Sequence, residues 1–277
     1  TSLIATIFEN SGMDPTVING GIISSWGSNA KLGSGDWLIA EADESDGSFA
    51  KLNPTVAIVT NIDSEHLDYY ENFSNLEKAF LNFISSIPFY GFATLCIDNP
   101  NVRKLVTSVS DRKIITYGIS NDADIRAINI KNDHQNMYFN VSISKRLKKV
   151  NEKQIEFKLP MLGNHNVKNC LASIAVAIEM GIELITIKQC LEKFSGVGRR
   201  FDIKGCIKGI TIIDDYAHHP EEIKVTLAAA RLYCPKGKII AVFQPHRFSR
   251  LKNLFHEFCQ CFYEANILFV ADVYSAG

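Results

Sequence analysis

Residues 214 to 219, DDYAHH, set two carboxylates, a phenol and two imidazoles into six positions just before a proline. Histidine exchanges protons near neutral pH and aspartate accepts hydrogen bonds or cations, so such a turn suits proton transfer or the binding of a polar ligand. A second acidic turn, EADESD at 41 to 46, brings Glu41 together with Asp43, Glu44 and Asp46, and IDSEHLD at 62 to 68 adds His66. Carboxylate oxygens with one imidazole and several waters fit a magnesium ion carrying phosphates better than a structural zinc, which favours thiolates. The plainer alternative is solvated loop acids, with His66 satisfying a buried carbonyl. Cations stand in PHRFSR at 245 to 250, where Arg247 and Arg250 could offer two guanidinium forks to a carboxylate or phosphate. An exposed pair opposite helix acids is the commoner role of such a spacing. Arg199 and Arg200, flanked by Gly196 and Gly198, read as a hinge that carries a cation. Asn166 and Asn169 follow LGNH, where Asn164 alone would cap a helix, which leaves two amides for a base or ribose.

Each polar turn follows an apolar run: WLIA at 37 to 40, TVAIVTN at 55 to 61, GITII at 209 to 213 and KIIAVFQ at 238 to 244. In open α/β sheets the ligand crevice lies outside the carboxyl ends of the strands, which is where these turns would fall. The first eleven residues place Leu3, Ile4, Ile7 and Phe8 on one helical face, stopped by Gly12. A helix from Ser74 carries a capping box, Ser74 with Glu77, and a stripe of Leu76, Phe80, Phe83, Ile84 and Ile87. Strands alternating with helices imply a mainly parallel sheet. Residues 122 to 160 differ, because MYFNVSIS and QIEFKL alternate apolar with polar and predict a small antiparallel sheet. A helix at about 166 to 180, a second one, and the glycine-rich turn SGVGRRFD at 195 to 202 precede a renewed α/β rhythm ending in ILFVAD. The expected division is 1–197 and 198–277.

With 277 residues, 46% of them apolar, the chain can bury a sizeable core. Its 29 basic and 30 acidic residues give no reason to expect a nucleic-acid or membrane-surface partner. Seven cysteines, an odd number without a C-x-x-C pair, read as reduced thiols. No stretch is long and apolar enough to span a bilayer and no signal peptide is visible, so a cytoplasmic protein is expected.

The motifs NGG (19 to 21), EADESDGSF (41 to 49), AIVTNIDSEHLDYY (57 to 70), GNHNVKN (163 to 169), GVGRRFD (196 to 202), DDYAHHPEEI (214 to 223) and FQPHRFSR (243 to 250) together resemble the Mur ligase family. The resemblance runs over essentially the whole chain. It implies an α/β fold: a central ATP-binding domain with a mainly parallel sheet plus a small antiparallel one, then a truncated Rossmann-like domain. It also implies an ATP-dependent amide-bond ligase of peptidoglycan synthesis. The AHHP and PHRFSR motifs point to the member that phosphorylates the lactyl carboxylate of UDP-N-acetylmuramate and then joins it to L-alanine. Position by position, Glu41 and His66 match the family's magnesium ligands. Asn166, Asn169, Arg200 and Asp215 match residues lining the ATP site, with Asp215 at the ribose and Arg200 near the phosphates. His218, Arg247 and Arg250 match positions near the amino acid and the acyl group.

Two departures stand beside the resemblance. The P-loop pattern G-x-x-x-x-G-K-[ST] occurs nowhere in the chain, so a fragment with little or no ligase activity of its own is expected. Several relatives carry a carbamylated lysine about fifteen residues after the metal histidine, where this chain has Leu81, so no such modification is expected. Two other readings remain open: a metal-dependent hydrolase built on Asp214, Asp215, His218 and His219, and a noncatalytic nucleotide-binding remnant.

Overall fold

A computed structural model describes residues 1–63, 67–147 and 154–275. Helix α1 (Ser2–Asn10) buries Leu3, Ile4, Ala5, Ile7 and Phe8 and ends ahead of Gly12, whose φ of +79° only glycine adopts cheaply. Strands β1 (Thr16–Ile23), β2 (Ser28–Lys31) and β3 (Leu38–Ala40) then form a three-stranded sheet in the order β2-β1-β3. β2 runs antiparallel and β3 parallel to β1.

Next come β4 (Val56–Val59), α2 (Leu67–Tyr70), α3 (Phe73–Ser85), β5 (Phe92–Cys96), α4 (Pro100–Ser108), β6 (Lys113–Gly118), β7 (Ile125–Asn132), β8 (Met137–Ile143) and β9 (Gln154–Leu159). They build one six-stranded sheet in the order β4-β5-β6-β7-β8-β9. Its first four strands are parallel and its last two pair antiparallel, so the predicted antiparallel strands are found but do not make a sheet of their own. The reason is β7: it takes β6 along one edge at Tyr117 and Gly118 and β8 along the other, which fuses the two ladders. The Ser74 capping box is also corrected. Asn72 is the cap, its side-chain oxygen accepting the Asn75 N–H at 3.0 Å, and Ser74 lies inside the first turn.

Helix α5 (Asn164–Glu179) is apolar nearly all round, and 11 of its residues are buried, as a helix inside a core must be. It packs under β5, β6 and β7, with α1 and α6 (Leu184–Glu192) beside it. α3 and α4 enclose a second apolar cluster that includes Phe83, Ile84, Leu95 and Val102.

The rest of the chain opens with an antiparallel hairpin, β10 (Asp202–Ile207) and β11 (Ile210–Asp214), followed by α7 (Pro220–Tyr233). β12 (Ile240–Phe243) pairs in parallel with β13 (Ile267–Val270), and α8 (Phe248–Asn253) and α9 (Phe255–Gln260) lie between them in sequence. A small core of Ile223, Leu227, Phe243, Phe258 and Cys261 holds α7 and α9 to β12. Among the described residues the halves touch where the Gly198 N–H donates to the Ile22 carbonyl at 2.8 Å, where Ala229 of α7 enters the first core with Phe201, Leu232 and Tyr233 packed against it, and where His134 Nδ1 donates to the Leu232 carbonyl at 2.9 Å. Among the described residues no helix is long and apolar enough to cross a membrane. All seven cysteines are free.

Candidate active site

The turns after β3 and β4 meet at a cavity of about 120 Å³ lined by Ala42, Glu44, Asn61 and Asp63 and floored by Leu76 and Phe80. Asp63 is held there by two amides: Asn61 Nδ2 donates at 2.6 Å and Asn99 Nδ2 at 3.3 Å. Tyr70 donates its hydroxyl to the Glu44 carbonyl at 2.7 Å. Burial first, and then the acids Glu44, Asp46 and Asp43, push that phenol up to about 12, so it remains a donor. Asp43 and Asp46 follow the plainer reading, since each accepts the N–H two residues on, from Ser45 at 2.8 Å and Ser48 at 2.9 Å.

Glu41 lies outside the cavity lining, exposed and against the NGG turn. A Cβ at Gly20 would stand 2.5 Å from the flexible end of the exposed Glu41 side chain, whereas one at Gly21 would stand 2.7 Å from Val197 Cγ1, so Gly21 is the position where close approach favours glycine. His66 falls outside the described residues. Among the described residues no three of His, Cys, Asp and Glu gather closely enough to hold a metal ion. The pairing of Glu41 with His66 lies partly outside the described residues, and the four groups of the hydrolase alternative, all described, do not gather as a metal site.

The reason lies in what each group of DDYAHH already binds. Asp215 accepts the Phe201 N–H at 2.7 Å and the Ala217 N–H at 2.8 Å. Asp214 faces Arg199 at 3.6 Å, and the Arg199 guanidinium stands 4.8 Å from the Tyr216 ring centre. The His219 side chain caps α7, accepting the Glu221 N–H at 3.4 Å. His218 Nδ1 lies 3.1 Å from the Tyr216 carbonyl, which only accepts, so this nitrogen carries the proton and Nε2 keeps a lone pair. Burial lowers the His218 imidazole below its ordinary value, Arg250 and His246 act the same way, and Glu222 opposes them.

After β12 the backbone turns at Arg247, with φ of +70°, and the Arg247 N–H donates to the Tyr274 carbonyl at 2.8 Å. Its guanidinium is exposed. Arg250 donates to the His246 carbonyl at 3.4 Å, and His246 stands 6.3 Å from the His218 ring and 5.5 Å from that of Tyr274. The two turns of the second half thus form one cluster, and the charge of Asp63 on the first half reaches His219.

At the start of α5, Gly163 rather than Asn164 is the cap, with φ of +98° and no side-chain bond. Asn166 is buried and donates to the Leu162 carbonyl at 2.8 Å, so it secures the loop that enters the helix. Asn169, one turn on, is exposed. Just ahead of Asn166, His165 is pushed down to about 4 by burial first, then by the charges of Lys168 and Arg200. Arg200 also pairs with Glu222 at 3.4 Å.

These turns keep an order that known proteins share. The pattern of the Mur ligase middle domain matches residues 24–177, and that of the Mur ligase, glutamate ligase domain matches residues 199–275. The chain belongs to the Mur ligase family. This Mur ligase chain is 52% identical over 277 residues to the UDP-N-acetylmuramate–L-alanine ligase of Rhodospirillum centenum, and the match covers all of the chain and 57% of that protein. It is 49% identical to the ligase of the same name from Caulobacter vibrioides, covering all of the chain and 58% of that relative. The chain therefore spans less than three fifths of the length of these relatives. Among solved structures, the UDP-N-acetylmuramate-alanine ligase MurC of Thermotoga maritima superposes with a TM-score of 0.82 at 28% identity, over 99% of this chain and 59% of that one.

Three residues of this Mur ligase chain were not foreseen. Asp63 stands in the turn that follows β4, four residues past Val59, the kind of position that should have drawn attention to it. Glu222 lies three residues after the cap His219, which is the capping-box spacing with histidine in place of serine or threonine. His165 carries no sequence signal, because its shift arises first from burial, which spacing does not show, and then from the charges of Lys168 and the distant Arg200.

Proposed function

We propose that this chain is the ATP-binding and amino-acid-binding part of a ligase that adds L-alanine to UDP-N-acetylmuramate. ATP would transfer its γ-phosphoryl group to the lactyl carboxylate, releasing ADP. The L-alanine amine would then attack the acyl carbon, forming the amide and releasing phosphate. On this reading Asn166, Asn169, Arg200 and Asp215 border the nucleotide, and His218, Arg247 and Arg250 border the amino acid and the acyl group. The guanidinium groups would neutralise carboxylate and oxyanion charge. His218 Nε2, neutral and unprotonated near pH 7, would be placed to accept the proton that the amine must lose. Glu41 and His66, the latter outside the described residues, would hold the magnesium ion that neutralises phosphate charge during phosphoryl transfer. We assign residues 1–197 to the central domain and 198–277 to the C-terminal one, a division supported by the two family patterns that end at 177 and begin at 199.

The observation that carries the reading is the meeting of DDYAHH and PHRFSR, where His218 lies 6.3 Å from His246 and Arg250 is close enough to act on both. The test is L-alanine-dependent phosphate release from ATP and UDP-N-acetylmuramate by the full-length protein that carries this segment. Arg250→Ala should lower kcat/KM by roughly 10²- to 10³-fold, as loss of an oxyanion-stabilising group does. Turnover unchanged by that substitution would remove Arg250 from the acyl site. No L-alanine-dependent release by the unaltered protein would remove the reading itself.

A further inference from the structure

Helix α3 turns Ser74, Glu77, Lys78 and Leu81 toward α4, which turns Asn101, Lys104, Leu105 and Ser108 back toward it. Both sets follow the spacing i, i+3, i+4, i+7, so each is one face of its helix. Between them lies a cavity of about 160 Å³, closed below by Ile62. That volume has room for about five waters. Neither the helix cap nor the proposed reaction uses any of these side chains, although Ser74, Glu77 and Leu81 drew attention in the sequence.

The trough has a polar rim and an apolar floor. Leu105 and Ile62 are buried and Leu81 half-buried, while Lys78 and Lys104 are exposed at the edge and have no ion-pair partner among the described residues. Lys78 and Lys104 line the trough with Glu77 as the one acid of its lining, which leaves a single net positive charge there. A monoanion balances that charge, whereas a dianion would be set against Glu77. Ile62 also lines the cavity beside Asp63, and the Asn101 amide in the trough donates to the Ile62 carbonyl at 2.8 Å. The two cavities share a wall.

We propose that the trough between α3 and α4 is a second ligand site, for a small carboxylate with a short hydrocarbon body. The carboxylate lies between Lys78 and Lys104, and the hydrocarbon rests on Leu81, Leu105 and Ile62. Methyl NMR of Ile62, Leu81 and Leu105 tests this, with hexanoate, acetate and inorganic phosphate as probes. Hexanoate should shift these methyls saturably and bind more tightly than either other probe. The double variant Lys78→Gln/Lys104→Gln, which alters only exposed side chains, should keep the native spectrum and bind hexanoate about tenfold more weakly. Absence of a saturable shift, equal binding of acetate and hexanoate, tighter binding of phosphate, or an unchanged affinity in the double variant would each overturn the proposal.

Discussion

Burial and the charges of Lys168 and Arg200 hold the His165 imidazole at about 4, against an ordinary value of 6.5. The unfolded chain takes up the proton near 6.5 and the folded one resists it until about 4, so protonation favours unfolding between these values. Stability is intact above pH 6.5, falls as the pH drops to about 4, and is flat in this respect below that. The full difference is about 3 kcal/mol. His165→Gln should remove that part of the slope in urea titrations run from pH 7 to 4, and a slope unchanged in the variant would mean that another group carries it. Asp215 behaves differently. The sequence marks it as a ligand-binding candidate, yet the structure finds both its oxygens bound to main-chain N–H groups that tie the linker at residue 201 to the turn at residue 217. Asp215→Ala should therefore cost about 2 kcal/mol of stability without any ligand present. A native urea midpoint in that variant would show that the two bonds contribute nothing net. Residue types and spacing reveal which side chains can do chemistry, but not which of them the fold has already engaged.

At the scale of elements, the apolar run of β5 was readable because a strand buried on both faces needs no polar alternation, and those of β4 and β12 were readable as β-branched runs although β12 leaves Ile240 and Val242 exposed. β10 was not, because DIKGCI is largely exposed and interrupted by a register shift at Gly205. The start of α3 was misread by two residues for a similar reason: Ser74 and Asn72 are both good caps, and only the extended backbone at Asn72 decides between them. The start of α7 shows how one element orients a site. Burial alone would raise the Glu222 carboxyl, but the His218 N–H and imidazole, Arg200 and the His219 N–H together hold it below its ordinary value. Its Oε2 accepts the N–H of His218 at 2.9 Å and of His219 at 3.2 Å, which fixes the turn from which His218 projects. Glu222→Ala should cost about 1–2 kcal/mol as a lost cap. Because Glu222 raises His218 against the effect of burial, the same variant should also move the His218 titration to lower pH. Measured by NMR, a His218 titration that stays in place would mean that Glu222 does not act on it.

At the scale of the molecule, the proposed chemistry needs residues from both halves, so the way α7 docks matters more than either core alone. Ala229, 1% exposed, is the residue of α7 that enters the main core, and Leu232 and Tyr233 pack against the same cluster. The other links among the described residues are the Gly198 N–H bond to the Ile22 carbonyl, the His134 bond to the Leu232 carbonyl and the packing of Phe201 against the main core. The small core of the second half, by contrast, has five buried members and does not include Ala229. A long polar side chain at 229 should therefore act on docking and leave that small core intact. Ala229→Gln is expected to cost about 1–3 kcal/mol by overpacking the junction. In calorimetry the cost should appear as a single transition separating into two, with the earlier one belonging to the second half. A single transition at lower temperature would mean that the halves unfold together whatever happens at 229, and that the linker from Gly196 to Phe201 couples them instead. An unchanged transition would mean that α7 is not held by this contact at all.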